Sequence, residues 1–185
     1  MAGTSSRTKI LLETTVFAAL SAVLYTMRPY TAPFGGSVTL GSMVPVMWLS
    51  LRRGVRVGIV SAILFGVLAF FIDVMFLGAS SVVATPVQVL FEYPLAFGVL
   101  GFTGMSHKKT PAPALAGVAF SVLFRFLIHY LVGVFVWVTV YQFPPEWGQY
   151  LWPAVYNGSF LLVEFTISAI LVAALVEAKT LDYGL

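Results

Sequence analysis

The run Arg56–Leu77, RVGIVSAILFGVLAFFIDVMFL, decides the fold class of this chain. Apart from Arg56 at the start of this run, Asp73 is its only charged residue. At about 1.5 Å of rise per residue, a helix of this length measures roughly 33 Å and can cross a hydrocarbon core about 30 Å thick. The run therefore predicts a transmembrane helix.

Five further apolar runs accompany it, at residues 9–27, 38–51, 82–105, 112–140 and 151–176. The run 38–51 is short and follows Gly35-Gly36-Ser37, so its helix is expected to begin inside an ordered loop. Only 9% of the residues are charged, against about 25% in soluble domains. These features predict an all-α, polytopic membrane protein with six transmembrane helices in one domain, residues 1–185.

The basic residues predict the orientation of these helices. Eight of the ten fall on one side of a six-helix arrangement: Arg7, Lys9, Arg52, Arg53, Arg56, Lys108, Lys109 and Lys179. By the positive-inside rule, both termini are expected on the cytoplasmic side of a cell membrane. The net charge of +3 is then a topology signal, and no nucleic-acid partner is expected.

The sequence lacks the motifs that several kinds of chemistry require. It contains no G-x-x-x-x-G-K-[ST] phosphate loop, no H-E-x-x-H and no cysteine. No nucleophile with an oriented partner is evident. The chain is therefore expected to have no catalytic residues, no metal and no cofactor, and not to hydrolyse ATP by this route.

Ionisable residues inside membrane helices cost about 2.5–3.5 kcal/mol at the centre and point to function. Here they are Asp73, Glu92, Arg125, His129 and Glu164. Arg125 and Glu164 lie at similar predicted depths, which predicts an ion pair between the last two helices. Glu92 would then lack a protein cation, so we interpret it as the carboxylate for a cationic ligand. The alternative is a protonated glutamic acid that is hydrogen-bonded across a helix interface.

Residues around Glu92 predict an outward-facing pocket. Arg125, His129, Gly133 and Trp137 recur every four residues on one face of a helix. Asn157 is expected at the same depth on the last helix. Trp137, Trp147 and Tyr150 could form an aromatic cage for a flat cation, whereas Trp152 and Tyr156 suit an interfacial aromatic belt.

Three motifs together resemble the thiamine-specific S component of energy-coupling factor vitamin transporters. They are EYPLAFG at Glu92–Gly98, RFLIHYLVGVFVW at Arg125–Trp137 and YNGSFLLVE at Tyr156–Glu164. The resemblance implies ligand contacts from Glu92, Tyr93, His129, Trp137, Tyr150 and Asn157. The family's first outer loop carries a tryptophan that closes over thiamine. This chain has none there, so Tyr30 or Phe34 is expected to substitute in a mobile lid, Tyr30–Ser42.

The resemblance also implies partners. An S component captures extracellular thiamine and joins a transmembrane coupling protein and two ATPase subunits, whose hydrolysis drives uptake. An alanine-x-x-x-alanine signature marks the docking face on the first helix, and Ala18 and Ala22 match it. Small residues also permit tight packing within the bundle, which is the alternative for this pair.

Two other functions remain open from the sequence. The chain could be an S component for a related vitamin or for a thiamine precursor. It could also be an intramembrane enzyme with Glu92 and His129 as acid and base, although no nucleophile supports that alternative.

Overall fold

The structure is a computed structural model that describes residues 2–32, 35–105, 110–140 and 146–181, with side chains from residue 7 onward. In chain order its elements are α1 (Ala2–Thr26), β1 (Tyr30–Thr31), β2 (Ser37–Val38), α2 (Val44–Arg53), α3 (Val55–Leu77), α4 (Ala79–Val82), α5 (Pro86–Leu90), α6 (Ala96–Gly98), α7 (Pro111–Val132), α8 (Val138–Val140) and α9 (Gly148–Glu177). Three other helical stretches extend these: π-helical Phe91–Leu95 and Gly133–Trp137, and the 3₁₀ helix Val99–Met105. The fold is all-α apart from one two-stranded hairpin.

Five helices in the described part of the chain are long and apolar enough to cross a membrane. They cover Arg7–Thr26, Val55–Leu77, Pro86–Met105, Pro111–Val140 and Gly148–Glu177. All five were predicted, with ends that differ by a few residues. The predicted sixth, 38–51, overlaps only one helix, the ten-residue α2, which is about 15 Å long and too short to span alone.

Residues 40–53 nevertheless return the chain along the C-terminal half of α1. The Leu40 amide donates to the Met27 carbonyl at 3.3 Å, just beyond the end of α1. Arg53 makes two hydrogen bonds of 2.6 Å to Glu13, in the middle of α1. Because Glu13 and Met27 are separated by about 20 Å along a helix, this segment, a turn followed by α2, runs antiparallel to α1.

The two ends of the described chain lie at the same end of the bundle. The Trp48 indole on α2 donates to Thr180 beyond α9 at 2.8 Å, and its ring stacks on Phe17 of α1 at 5.0 Å. We call this end, which carries Arg52 and Arg53, the basic end. The predicted basic cluster is therefore partly assembled here, whereas Lys108 and Lys109 lie outside the described residues.

Ala18 and Ala22 do not form an outward face on α1. Their exposed fractions are 1% and 8%, and both belong to the buried core. Ser61 of α3 donates to the Thr14 carbonyl on the same side of α1 at 2.9 Å. This side faces the bundle, so the expected docking geometry is corrected in favour of the alternative, internal packing.

Glycines allow the helix backbones to approach closely near the basic end. A Cβ on Gly101 would overlap the backbone of Ile59 on α3. The Gly101 carbonyl also accepts a hydrogen bond from Ser50 of α2. Gly101 therefore fixes the 3₁₀ helix against two neighbours at once.

We expect Gly101→Ala to lower the unfolding free energy by about 1–3 kcal/mol, because the added methyl group overpacks a backbone contact. Thermal unfolding in detergent checks this. Gly158→Ala is the matched control, because its Cβ would meet only Phe126 at an ordinary 3.8 Å. It should be neutral or mildly stabilising, and equal losses in both variants would contradict the packing explanation.

Candidate ligand-binding site

A cavity opens at the end of the bundle opposite the basic end. It holds about 930 Å³ of empty space, which includes the open solvent at its mouth. Its walls are Tyr25, Gly35, Gly36, Ser37, Asp73, Ser81, Val82, Glu92, Tyr93, Phe97, Arg125, His129, Gly133, Trp137, Trp152, Pro153, Tyr156, Asn157 and Phe160. Five of the predicted ligand-binding residues are brought together here: Glu92, Tyr93, His129, Trp137 and Asn157.

Both walls that carry Glu92 and Trp137 are π-helical. Glu92 lies in the stretch Phe91–Leu95 with Pro94, and Trp137 ends the stretch Gly133–Trp137. Proline cannot donate a backbone hydrogen bond, and the π-turn accommodates it without ending the helix. Single π-turns are frequent at functional sites, and here two of them face one cavity.

Three side chains surround the Glu92 carboxylate. The Trp137 indole N–H donates to Oε1 at 2.9 Å, and the Gln88 amide donates to Oε2. His129 Nδ1 lies 3.6 Å from Oε1, so Glu92 and His129 lie at the same depth in the bundle. No lysine or arginine in the described residues lies within 4.0 Å of this carboxylate. Two neutral donors, Trp137 and Gln88, therefore hold Glu92, and no arginine or lysine in the described part of the chain matches its charge.

The predicted ion pair between Arg125 and Glu164 is wrong. Arg125 is 7% exposed. Its Nη1 contacts the Met43 sulfur at 3.0 Å, and its Nε contacts His129 Nε2 at 3.4 Å. Glu164 instead accepts a hydrogen bond from the Thr39 amide. Residues 39–43 contact both side chains, so each finds a partner in this segment.

The same guanidinium also lines the cavity. Its central carbon lies 4.0 Å from the centroid of the Phe97 ring, in a cation–π contact. The cavity therefore has an unmatched carboxylate at Glu92 and a cationic wall at Arg125. Such a site suits a ligand with a positive group and separate hydrogen-bond acceptors.

The hairpin forms one side of the cavity. Tyr30 pairs with Val38, and Thr31 pairs with Ser37, in antiparallel register. The Gly36 amide donates to the Tyr156 hydroxyl of α9 at 2.9 Å. A Cβ on Gly36 would lie 2.6 Å from the Phe160 ring, so glycine is what permits this close contact. Phe34, one of the two predicted substitutes for the lid tryptophan, lies outside the described residues.

Two of the predicted aromatic residues do not line the cavity. Tyr150 is 62% exposed. Trp147 lines a second hollow together with Tyr30, on the other side of Trp152 and Tyr156, which border both. Trp152 and Tyr156, which were assigned to the interfacial belt, line the cavity instead.

The helix phase of α9 explains this exchange. α9 begins at Gly148, and Trp152 and Tyr156 are one turn apart on it, with ring centroids 6.0 Å apart. The ring of Phe160 lies 5.8 Å from that of Tyr156. Trp152, Tyr156 and Phe160 are spaced by four residues, and this spacing in the sequence could have placed all three on the inner face of the helix. Asn157 lies beside them, 6% exposed, and its amide donates to the Pro153 carbonyl at 2.9 Å.

Comparison with known proteins gives the family. A family model described as thiamine transporter protein (Thia_YuaJ) matches residues 11–182. The chain belongs to this family. The match covers four of the five long helices completely and the first from residue 11, together with the hairpin and every residue that lines the cavity.

Members of the thiamine transporter family from three bacteria resemble the chain over most of its length. The thiamine transporter ThiT of Lacticaseibacillus paracasei is 24% identical over 90% of this chain and 86% of its own. ThiT of Bacillus subtilis is 27% identical over 89% of this chain and 88% of its own. A solved structure of ThiT from Listeria monocytogenes has a TM-score of 0.77 and 27% identity, and covers 95% of this chain and 98% of that one.

The names of these relatives agree with the predicted class of protein. They are named as transporters and not as enzymes, consistent with the expected absence of catalysis. Together with the apolar helices, they identify the chain as a bacterial multi-pass membrane protein.

Proposed function

We propose that the chain is the thiamine-binding S component of an energy-coupling factor transporter. The observation that carries this proposal is the Glu92 carboxylate, which faces the cavity without a lysine or arginine within 4.0 Å in the described residues. Thiamine has a thiazolium cation and an aminopyrimidine ring. A buried carboxylate beside aromatic faces is a favourable site for such a flat cation.

The remaining walls suit the other parts of thiamine. Trp137 and Trp152 offer ring faces for stacking, and Asn157 and His129 offer hydrogen-bonding groups near the aminopyrimidine. Tyr93 acts through its position beside Glu92 and not through its hydroxyl, because the hydroxyl already donates to Asp73 at 2.9 Å. Each of these assignments predicts weaker binding when the side chain is removed.

The orientation and partners complete the proposal. The positive-inside rule places the basic end in the cytoplasm, so that the cavity opens to the outside and captures extracellular thiamine. The sequence has no phosphate loop, in keeping with a division of labour in which two ATPase subunits and a transmembrane coupling protein supply the energy. The chain itself then supplies recognition within the lipid bilayer.

Titration of the purified protein tests the ligand directly. Intrinsic tryptophan fluorescence is recorded while thiamine, its hydroxymethylpyrimidine precursor or buffer is added. Trp137 and Trp152 line the cavity, so thiamine should produce a saturable change. Saturation by the precursor at a lower concentration than thiamine would identify the precursor as the ligand, and no saturation by either would reject both.

We expect thiamine to slow hydrogen exchange in the lid, most clearly in residues 35–42. The hairpin forms a wall of the cavity and is joined to α9 through the Gly36–Tyr156 hydrogen bond, so a ligand beneath it should reduce its opening. Mass spectrometry of peptides with and without thiamine checks this. Peptides from residues 55–65, near the basic end, serve as the internal control, and unchanged exchange in the lid would argue against its role.

A further inference from the structure

A second carboxylate, Asp73 of α3, also lines the cavity but is fully engaged. It is 3% exposed. Its Oδ1 lies 2.5 Å from Arg28 Nη2 in an ion pair, and neither atom has a hydrogen-bond partner among the described residues. Its Oδ2 accepts hydrogen bonds of 2.9 Å from both the Tyr25 and the Tyr93 hydroxyls. Asp73 therefore joins α1, α3 and the π-helical wall of the cavity.

Arg28 connects this cluster to the hairpin. It lies between α1 and β1, and one residue separates it from β1. Its Nε donates to the Tyr25 carbonyl at 2.8 Å, and its guanidinium lies 4.1 Å from the centroid of the Tyr25 ring. The side chain is thus fixed in one direction, towards Asp73. The chain that enters the hairpin is tied to α3 through this ion pair.

The cluster also reaches the ligand-binding wall. Tyr93 follows Glu92 directly, and its carbonyl packs so closely on Gly66 of α3 that a Cβ there would lie 2.5 Å away. The Tyr93 ring is parallel to that of Phe97, with centroids 6.3 Å apart. Asp73 thus connects the backbone that carries Glu92 with the root of the hairpin, residues 27–29.

We infer that Asp73 is a positioning residue that keeps the hairpin seated over the cavity through Arg28, and that it is not the counter-ion of the ligand. This inference rests on the proposed function. The negative charge of Asp73 is matched by Arg28, whereas that of Glu92 is matched by no arginine or lysine in the described residues. Loss of the pair should mainly speed the release of bound thiamine, because the hairpin opens more often.

The double variant Arg28→Gln/Asp73→Asn provides the test, because it keeps the wild-type net charge while it removes the ion pair. Stopped-flow fluorescence should show thiamine dissociating about tenfold faster, the scale of a partial loss of a buried charge pair. The association rate should change little.

The matched control is Glu13→Gln/Arg53→Gln. It removes an ion pair that also begins on α1 but lies at the basic end, and its dissociation rate should stay close to that of the wild type. Equal acceleration in both double variants would show a general loss of stability and overturn the inference. A wild-type rate in Arg28→Gln/Asp73→Asn, with faster release in Asp73→Asn alone, would assign the effect to charge and also overturn it.

Hydrogen exchange in the ligand-free protein separates this inference from the proposed function. Residues 35–38 should exchange faster in Arg28→Gln/Asp73→Asn than in the wild type or in the control. This result would support the positioning role even if thiamine failed to bind. Unchanged exchange would contradict the positioning role, whatever the ligand is.

Discussion

Glu92→Gln should weaken thiamine binding by roughly thirtyfold to several-thousandfold while the protein stays folded. Removal of one partner from a buried, hydrogen-bonded charge pair costs about 2–5 kcal/mol, much of it from the charge that is left unpaired. The unpaired charge would here be the thiazolium of the bound ligand. Isothermal titration calorimetry of the purified variant measures the loss.

The ligand-free variant should lose only a little stability. The Gln carbonyl can still accept from Trp137, but its amide faces the Gln88 amide, which is also a donor. Glu164→Gln is the matched control, because Glu164 is a buried membrane carboxylate outside the cavity lining, 3% exposed. Equal affinity in wild type and Glu92→Gln would make Glu92 a structural carboxyl group.

Ala18→Trp should impair folding and thiamine binding together. Ala18 is 1% exposed and packs in the core, so an indole there overpacks α1 and its neighbours by about 3 kcal/mol or more. The yield of monodisperse protein and its thermal unfolding measure the first effect. Titration of the surviving protein measures the second.

Ala19→Trp is the control for this prediction, because Ala19 is the next residue of α1 and is exposed. It should fold and bind thiamine normally. A docking role for Ala18 and Ala22 requires that they become exposed in the assembled transporter. Folded Ala18→Trp protein that binds thiamine and fails to join the energising subunits would support that role and contradict the packing seen here.

Apolar run length predicted the five long helices because the bilayer imposes that length directly. The same criterion could not describe residues 38–51. There the Thr39 amide is satisfied by the Glu164 side chain, so residues 39–43 can remain non-helical at membrane depth before α2 begins. Only the fold supplies that partner.

The cavity was predictable where a single helix fixes the geometry. His129, Gly133 and Trp137 share a face by four-residue spacing, and all three line the cavity. The choice of partner between elements was not predictable. Arg125 contacts Met43 rather than Glu164, because a segment without a periodic pattern lies against both.

The position of α9 shows a second limit. The start of that helix fixes which aromatic residues face inward, and the loop before it gives no clear boundary in the sequence. A start at Gly148 turns Trp152 and Tyr156 towards the cavity and leaves Tyr150 outside. The many aromatic residues in this region correctly indicated that aromatic side chains line the site. Which of them do so depended on the residue at which α9 begins.

The distance between the thiazolium ring of bound thiamine and the Glu92 carboxylate tests the central claim most directly. An experimental structure of the thiamine complex would provide it. The account predicts that the ring contacts Glu92, within about 4–6 Å, and that Asp73 keeps its pair with Arg28. A ring that instead lies against Asp73, with Glu92 still bound only to Trp137 and Gln88, would contradict it.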